Sequence, residues 1–227
     1  MFAFSKTLRL LVLWLKPHKT IPQTPWRAEK HWDLAPLRLA ILFLGLAFFG
    51  FGEALLIQSK IGNSPWSVFA QGVSFRTGIS LGWATLITSC VVLLLWIPLR
   101  EKFGFGTLAN ALVIPLALQL TVDHFPIQSS LFSGIVIALL GIISVGIATA
   151  FYISCGLGSG PRDGLMTAIH HRTGVRVGRV RLGLEVLVVA VGVALGGHAG
   201  LGTLLFALLI GQSVAISCGV LSRITDR

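Results

Sequence analysis

Residues 41–114 of this chain return, without a gap, as residues 137–210, an offset of 96 positions. The identities fall on residues with special backbone or charge roles. Gly45 pairs with Gly141, Gly62 with Gly158, Pro65 with Pro161 and Gly82 with Gly178. Arg76-Thr77-Gly78 returns as Arg172-Thr173-Gly174, and Gly104-x-Gly106-Thr107-Leu108 as Gly200-x-Gly202-Thr203-Leu204. Solenoid units recur every ~20–50 residues, so this longer period marks a duplicated half-domain whose copies pack against each other.

Composition says where such copies sit. Hydrophobic residues make up 54% of the chain and charged residues 11%, with a mean hydropathy of +0.85, which leaves too little polar surface for a soluble globule of this length. Stretches at about 37–58, 81–99, 105–122, 132–154, 182–197 and 201–220 read as spans, most near the ~20 apolar residues that cross a bilayer core. The fifth is short, so Arg181 is expected to snorkel toward a surface. Under six alternating spans, all of the 18 Lys and Arg residues except Lys60 and Arg76 fall on the side of the N-terminus. The positive-inside rule then predicts both termini in the cytoplasm of an inner-membrane protein. The net charge of +10 reads as topology and not as nucleic-acid binding, whose basic groove needs polar or aromatic readout residues.

Each copy holds three spans, an odd number, so the second must enter the membrane from the opposite face. Inverted repeats of this kind commonly place a substrate site at the midplane where the halves meet. The predicted fold is all-α: a polytopic bundle of six transmembrane helices in two inverted three-helix repeats, about 36–122 and 132–220, each with an extra short half-helix. Residues 1–35 form a cytoplasmic extension, with an interfacial amphipathic segment over Phe2–Leu15 and a Pro-containing linker after it.

The half-helices follow Gly62-Asn63-Ser64-Pro65-Trp66-Ser67 in copy one and Gly158-Ser159-Gly160-Pro161-Arg162-Asp163 in copy two. Proline suits a first helical position, and Gly78 and Gly174 suit the residue just past the end. A helix of about twelve residues crosses only half a bilayer. Two placements stay open: flat in the interface with Trp66, Phe69 and Val73 against lipid, or re-entrant with the Gly-rich start near the midplane. In the second, two helix N-termini converge and favour an anionic ligand.

The string Gly156-Leu157-Gly158-Ser159-Gly160-Pro161-Arg162-Asp163-Gly164-Leu165-Met166, with Arg172-Thr173-Gly174 and Gly178-x-Val180-Arg181-x-x-x-Glu185, resembles the second-half signature of the YczE/YyaS/YitT-type bacterial membrane proteins. Gly62-x-Ser64-Pro65-Trp66 and Thr77-Gly78 match it in the first half. The resemblance covers about 37–215. It implies a multi-pass inner-membrane protein and brings no established activity with it.

Among charged residues, Glu53 sits late in the first span, where an acid is costly unless paired or protonated. It is a candidate coupling acid, or else a structural one met by Lys60 or water. Glu185 follows Arg181 by one turn and is expected to pair with it. Arg162 and Asp163 open the second half-helix, either as ligand contacts or as surface-loop charges. Arg76 and Arg172 are expected to cap helix C-termini.

Catalytic and metal constellations are missing from the sequence. His170 and His171 are adjacent and point to different helix faces. Cys90, Cys155 and Cys218 lack metal or redox spacing and read as small buried hydrophobes. No Walker loop, Rossmann fingerprint or nucleophile elbow occurs, so neither an enzyme, a metal site nor a cofactor is expected. The expected function is a secondary transporter or channel for a small solute, an anion being favoured. Gly62, Ser64, Pro65 and Trp66 would face Gly158, Gly160, Pro161, Arg162 and Asp163 around it. The alternative is a non-transporting membrane factor that scaffolds a protein partner, whether a second copy or another chain.

Overall fold

The computed structural model describes residues 21–225; the amphipathic Phe2–Leu15 segment lies outside the described residues. Among them are eight helices and no strand: α1 (Pro36–Gln58), α2 (Pro65–Thr77), α3 (Leu81–Leu99), α4 (Phe105–His124), α5 (Leu131–Ser154), α6 (Pro161–Thr173), α7 (Val177–Ala194) and α8 (Leu201–Thr225). The helices follow the expected spans closely, except that α7 starts at Val177 and not near 182. Hydropathy misses that first turn because it carries Arg179 and Arg181. Five helices, α1, α3, α4, α5 and α8, are long and apolar enough to cross a membrane. Large apolar side chains such as Leu44, Trp83, Leu116, Phe132 and Leu208 point outward, an arrangement that water would penalise and lipid does not. This is a membrane protein.

The two first helices of the copies, α1 and α5, form the centre. Gly45 faces Ala148 and Tyr152, Gly52 faces Gly141, and Gly134 faces Ser59. Residue numbers rise along one helix as they fall along the other, so the pair is antiparallel. The glycines let the backbones approach: a Cβ on Gly52 would stand 2.9 Å from the Gly141 carbonyl, the small-residue contact common between membrane helices. Helix α4 flanks α1 as α8 flanks α5, while α2 packs on α7 and α6 on α3. Each half-helix therefore lies against the opposite copy.

The repeated Gly-x-Gly has a reciprocal use. The Gly202 amide donates to the Ile61 carbonyl at 2.7 Å, and the Gly106 amide donates to the Leu157 carbonyl at 2.9 Å. Each motif is thus a platform on which the loop of the other copy rests. The loops turn through Gly62 at φ +125° and Gly158 at φ +114°, a region where side chains are strained. Gly200 and Gly104 lie directly beneath them.

Within the expected linker, residues Thr24 to Asp33 pack as a strap. Thr24 donates to the Ser154 carbonyl at 3.1 Å, the Trp26 indole donates to the Ser154 hydroxyl at 3.0 Å, and the Ala28 amide bonds Cys155. Arg38 gathers the carbonyls of Trp26, Arg27 and Asp33. Cys155 and Cys218 are buried as expected, but Cys90 is exposed, since its register on α3 faces outward beside Ile87, Val91 and Leu94.

Candidate functional site

Both half-helices open on proline and close on a left-handed glycine, Gly78 and Gly174. Each has 13 residues, about 20 Å at ~1.5 Å per residue. The first begins buried and ends exposed: Pro65, Trp66 and Ser67 are interior, whereas Phe75, Arg76 and Thr77 are not; in the second, Pro161 and Gly164 are buried, Arg162 is half-buried and Asp163 is exposed. Trp66 is 7% exposed and packs with Val92, Trp96, Leu165 and Val188. That burial overturns the flat placement with Trp66 against lipid.

The two N-terminal ends meet at a cavity of about 110 Å³. Its walls come from matching positions of the two copies: Glu53 with Thr149, Ser64 with Gly160, Pro65 with Pro161 and Trp66 with Arg162. Phe49 with Val145, Thr85 with Arg181, Ser89 with Glu185, Asn110 with Phe206 and Ile114 with Ile210 do the same, while Tyr152, Asp163, Met166 and Val214 line it without their counterparts. The cavity therefore straddles the relation between the copies. Its volume suits a small solute and falls well short of the ~300–1,000 Å³ of drug-sized pockets.

Matching positions carry unlike chemistry. Glu53, 1% exposed, accepts hydrogen bonds at Oε2 from Ser64 at 2.6 Å and Ser67 at 2.5 Å. Its Oε1 lies 3.8 Å from Arg162 Nη1, an ion pair without a hydrogen bond. Lys60 is not among the partners of this acid. The Arg162 guanidinium stands over the Trp66 ring at 5.4 Å, a cation–π contact, so Arg162 is no surface-loop charge. Asp163 accepts from the Tyr152 hydroxyl at 3.0 Å. Arg181 Nε donates to Glu185 at 2.9 Å on the cavity wall, the i,i+4 pair that was expected. Among the described residues, Glu53 Oε1 and Trp66 Nε1 are buried on this wall without a hydrogen-bond partner.

Of the expected residues, Ser64, Pro65, Trp66, Gly160, Pro161, Arg162, Asp163, Glu53, Arg181 and Glu185 line the cavity. Gly62 and Gly158 instead shape the docking loops behind it. Arg76 and Arg172 sit at the far ends of the half-helices; Arg172 reaches the Pro98 carbonyl at 3.2 Å, and Arg76 is exposed. Sequence reasoning missed Tyr152, Thr85, Ser89, Asn110 and Ser67. A signal existed for two of them, since Thr85 and Ser89 stand 96 positions before Arg181 and Glu185.

Residues 36–218 match a family described as a family of unknown function, DUF6198. The chain is 39% identical over 209 residues to an uncharacterized protein of Haemophilus influenzae, covering 92% of this chain and 96% of that one. It is 33% identical over 183 residues to the uncharacterized membrane protein YczE of Bacillus subtilis, covering 80% and 85%. With the uncharacterized protein YyaS of Bacillus subtilis it shares 26% identity over 184 residues, 79% of this chain and 92% of the relative. No solved structure matches the chain.

Proposed function

The chain belongs to the DUF6198 family, and from that premise we propose that it is a secondary transporter or channel for a small solute, built as six spans in two inverted three-helix repeats. The observation that carries this reading is the cavity walled by the same positions of both copies. A site so placed can be presented to either face when one copy rocks against the other, the usual device of inverted-repeat carriers. The antiparallel α1 and α5 and the reciprocal Gly202–Ile61 and Gly106–Leu157 bonds support the inverted arrangement. Helix α7 serves as the sixth span: Arg181 and Glu185 neutralise each other toward the cavity, which lowers the cost of burying them. Both termini face the cytoplasm of the inner membrane, on the strength of the basic N-terminal residues.

The test is uptake by purified protein in proteoliposomes across a panel of small anions, cations and neutral solutes. Flux that Asp163→Asn reduces at least about tenfold, with unchanged elution on size exclusion, supports transport. Absence of flux for every solute, with a partner that stays bound through purification, favours the scaffold alternative.

A further inference from the structure

We infer that the cavity between α2 and α6 takes a small monovalent oxyanion on Arg162 together with one proton on Glu53. This rests on the transport reading and names its solute class and coupling.

Two donors on the wall, the Arg162 guanidinium and the Trp66 indole, make no hydrogen bond among the described residues. Arg162 offers a planar fork of five N–H groups, yet among the described residues it donates no hydrogen bond. Its contacts are the ion pair to Glu53 at 3.8 Å and the Trp66 face. The Trp66 indole N–H, on a residue 7% exposed, also lacks an acceptor. The complement of such a set is a compact group with several oxygens in a plane, a carboxylate or nitrate, which a guanidinium holds with two parallel bonds.

Charge balance then requires a second ion. The titratable groups that share the cavity wall with Glu53 are Arg162 and Asp163 from α6, Tyr152 from α5, and Arg181 and Glu185 from α7; α2, α3, α4 and α8 contribute neutral side chains. Arg181 is committed to Glu185 at 2.9 Å, and Asp163, an exposed residue, accepts from the Tyr152 hydroxyl and makes no ion pair with Arg162 among the described residues. Arg162 is therefore the counter-charge of Glu53. An anion that claims Arg162 leaves a carboxylate 1% exposed without a cation, and a buried unpaired charge is neutralised. Oε2 stays under the Ser64 and Ser67 hydroxyls, so the proton adds to Oε1, the atom without a hydrogen-bond partner. One anion and one proton enter, and both leave when the Glu53–Arg162 pair re-forms. The step moves no net charge.

Titration calorimetry of the full chain in nanodiscs with sodium nitrate and sodium formate, in buffers of different ionisation enthalpy, tests this. The wild type should take up about one proton per anion, with affinity falling up to about tenfold per pH unit on the alkaline side. Glu53→Gln should abolish proton uptake and flatten the pH dependence. Trp66→Phe keeps the ring, so it should weaken the anion about five- to tenfold and leave the proton count at one; it serves as the test should Glu53→Gln misfold. Anion binding without proton uptake by the wild type overturns the inference. So does flux of a cation or neutral solute with no anion binding, an outcome that leaves transport standing. Proton-linked anion binding without flux supports the site chemistry and sinks the transport reading.

Discussion

Ser67 and Asp163 occupy the same position in the two copies, yet Ser67 donates to the Glu53 carboxylate at 2.5 Å while Asp163 accepts from the Tyr152 hydroxyl at 3.0 Å. Each half-helix start thus has one carboxylate beside it, lent by α1 in one copy and carried by α6 itself in the other. These acids already answer the partial positive charge of the helix ends. An anion preference consequently rests on Arg162 and the Trp66 N–H, and not on vacant helix ends as the sequence alone implied.

Glu53→Ala is expected to destabilise the protein by about 1–3 kcal/mol, because it strands Arg162 and leaves the buried Ser64 and Ser67 hydroxyls without their acceptor. Thermal unfolding in detergent reads this as a lower midpoint. A variant as stable as the parent would mean that the carboxylate is not held as described.

The docking platforms make a paired prediction. A side chain on Gly104 would run into the Leu157 carbonyl and one on Gly200 would come within 2.5 Å of the Ile61 carbonyl, backbone atoms with no room to yield. Gly104→Ala and Gly200→Ala should each cost about 1–3 kcal/mol. Gly211, with open space at its Cβ, should tolerate alanine within about 0.5 kcal/mol. Equal effects at all three would refute the platform.

Trp96 and Gly164 should be energetically coupled. The Trp96 ring fills the space a Gly164 side chain would need, and its indole donates to the Pro161 carbonyl at 3.0 Å. Gly164→Ala should be damaging alone and much less so beside Trp96→Leu, with a coupling of at least about 1 kcal/mol in a double-mutant cycle. Additive losses would place the two apart.

Single cysteines report topology. Introduced at Lys102 and Arg176, both exposed, they should react with an impermeant maleimide from the compartment of the N-terminus. A cysteine at Ser129, also exposed, should react from the other side. Labelling of all three from one face would remove the inverted arrangement.

Much of this was legible because the code is local. A proline at the start and Thr-Gly at the end bound both half-helices, and a constant offset aligns their contents, so the charged residues and the helix starts of the cavity wall were named from sequence. Tyr152 was not, although it is the chain's single tyrosine on an apolar helix, where a phenol needs a partner. The packing of α6 on α3 was hidden for a different reason. There Trp96 meets Gly164, whereas the equivalent contact sets Gly192 against Val68 and Phe69; large and small have traded helices, so the offset shows no likeness. The strap from Thr24 to Asp33 lies before the repeat, and its bonds run mostly to backbone atoms, which leave no trace in composition.

Two identical polypeptides meeting around such a chamber would bring like to like: tryptophan to tryptophan, acid to acid. Joining them in one chain frees each half to specialise. Arg162 can face Trp66 and Glu53 because its own twin is a different residue, so covalent fusion is what permits opposite charges to share this symmetric chamber.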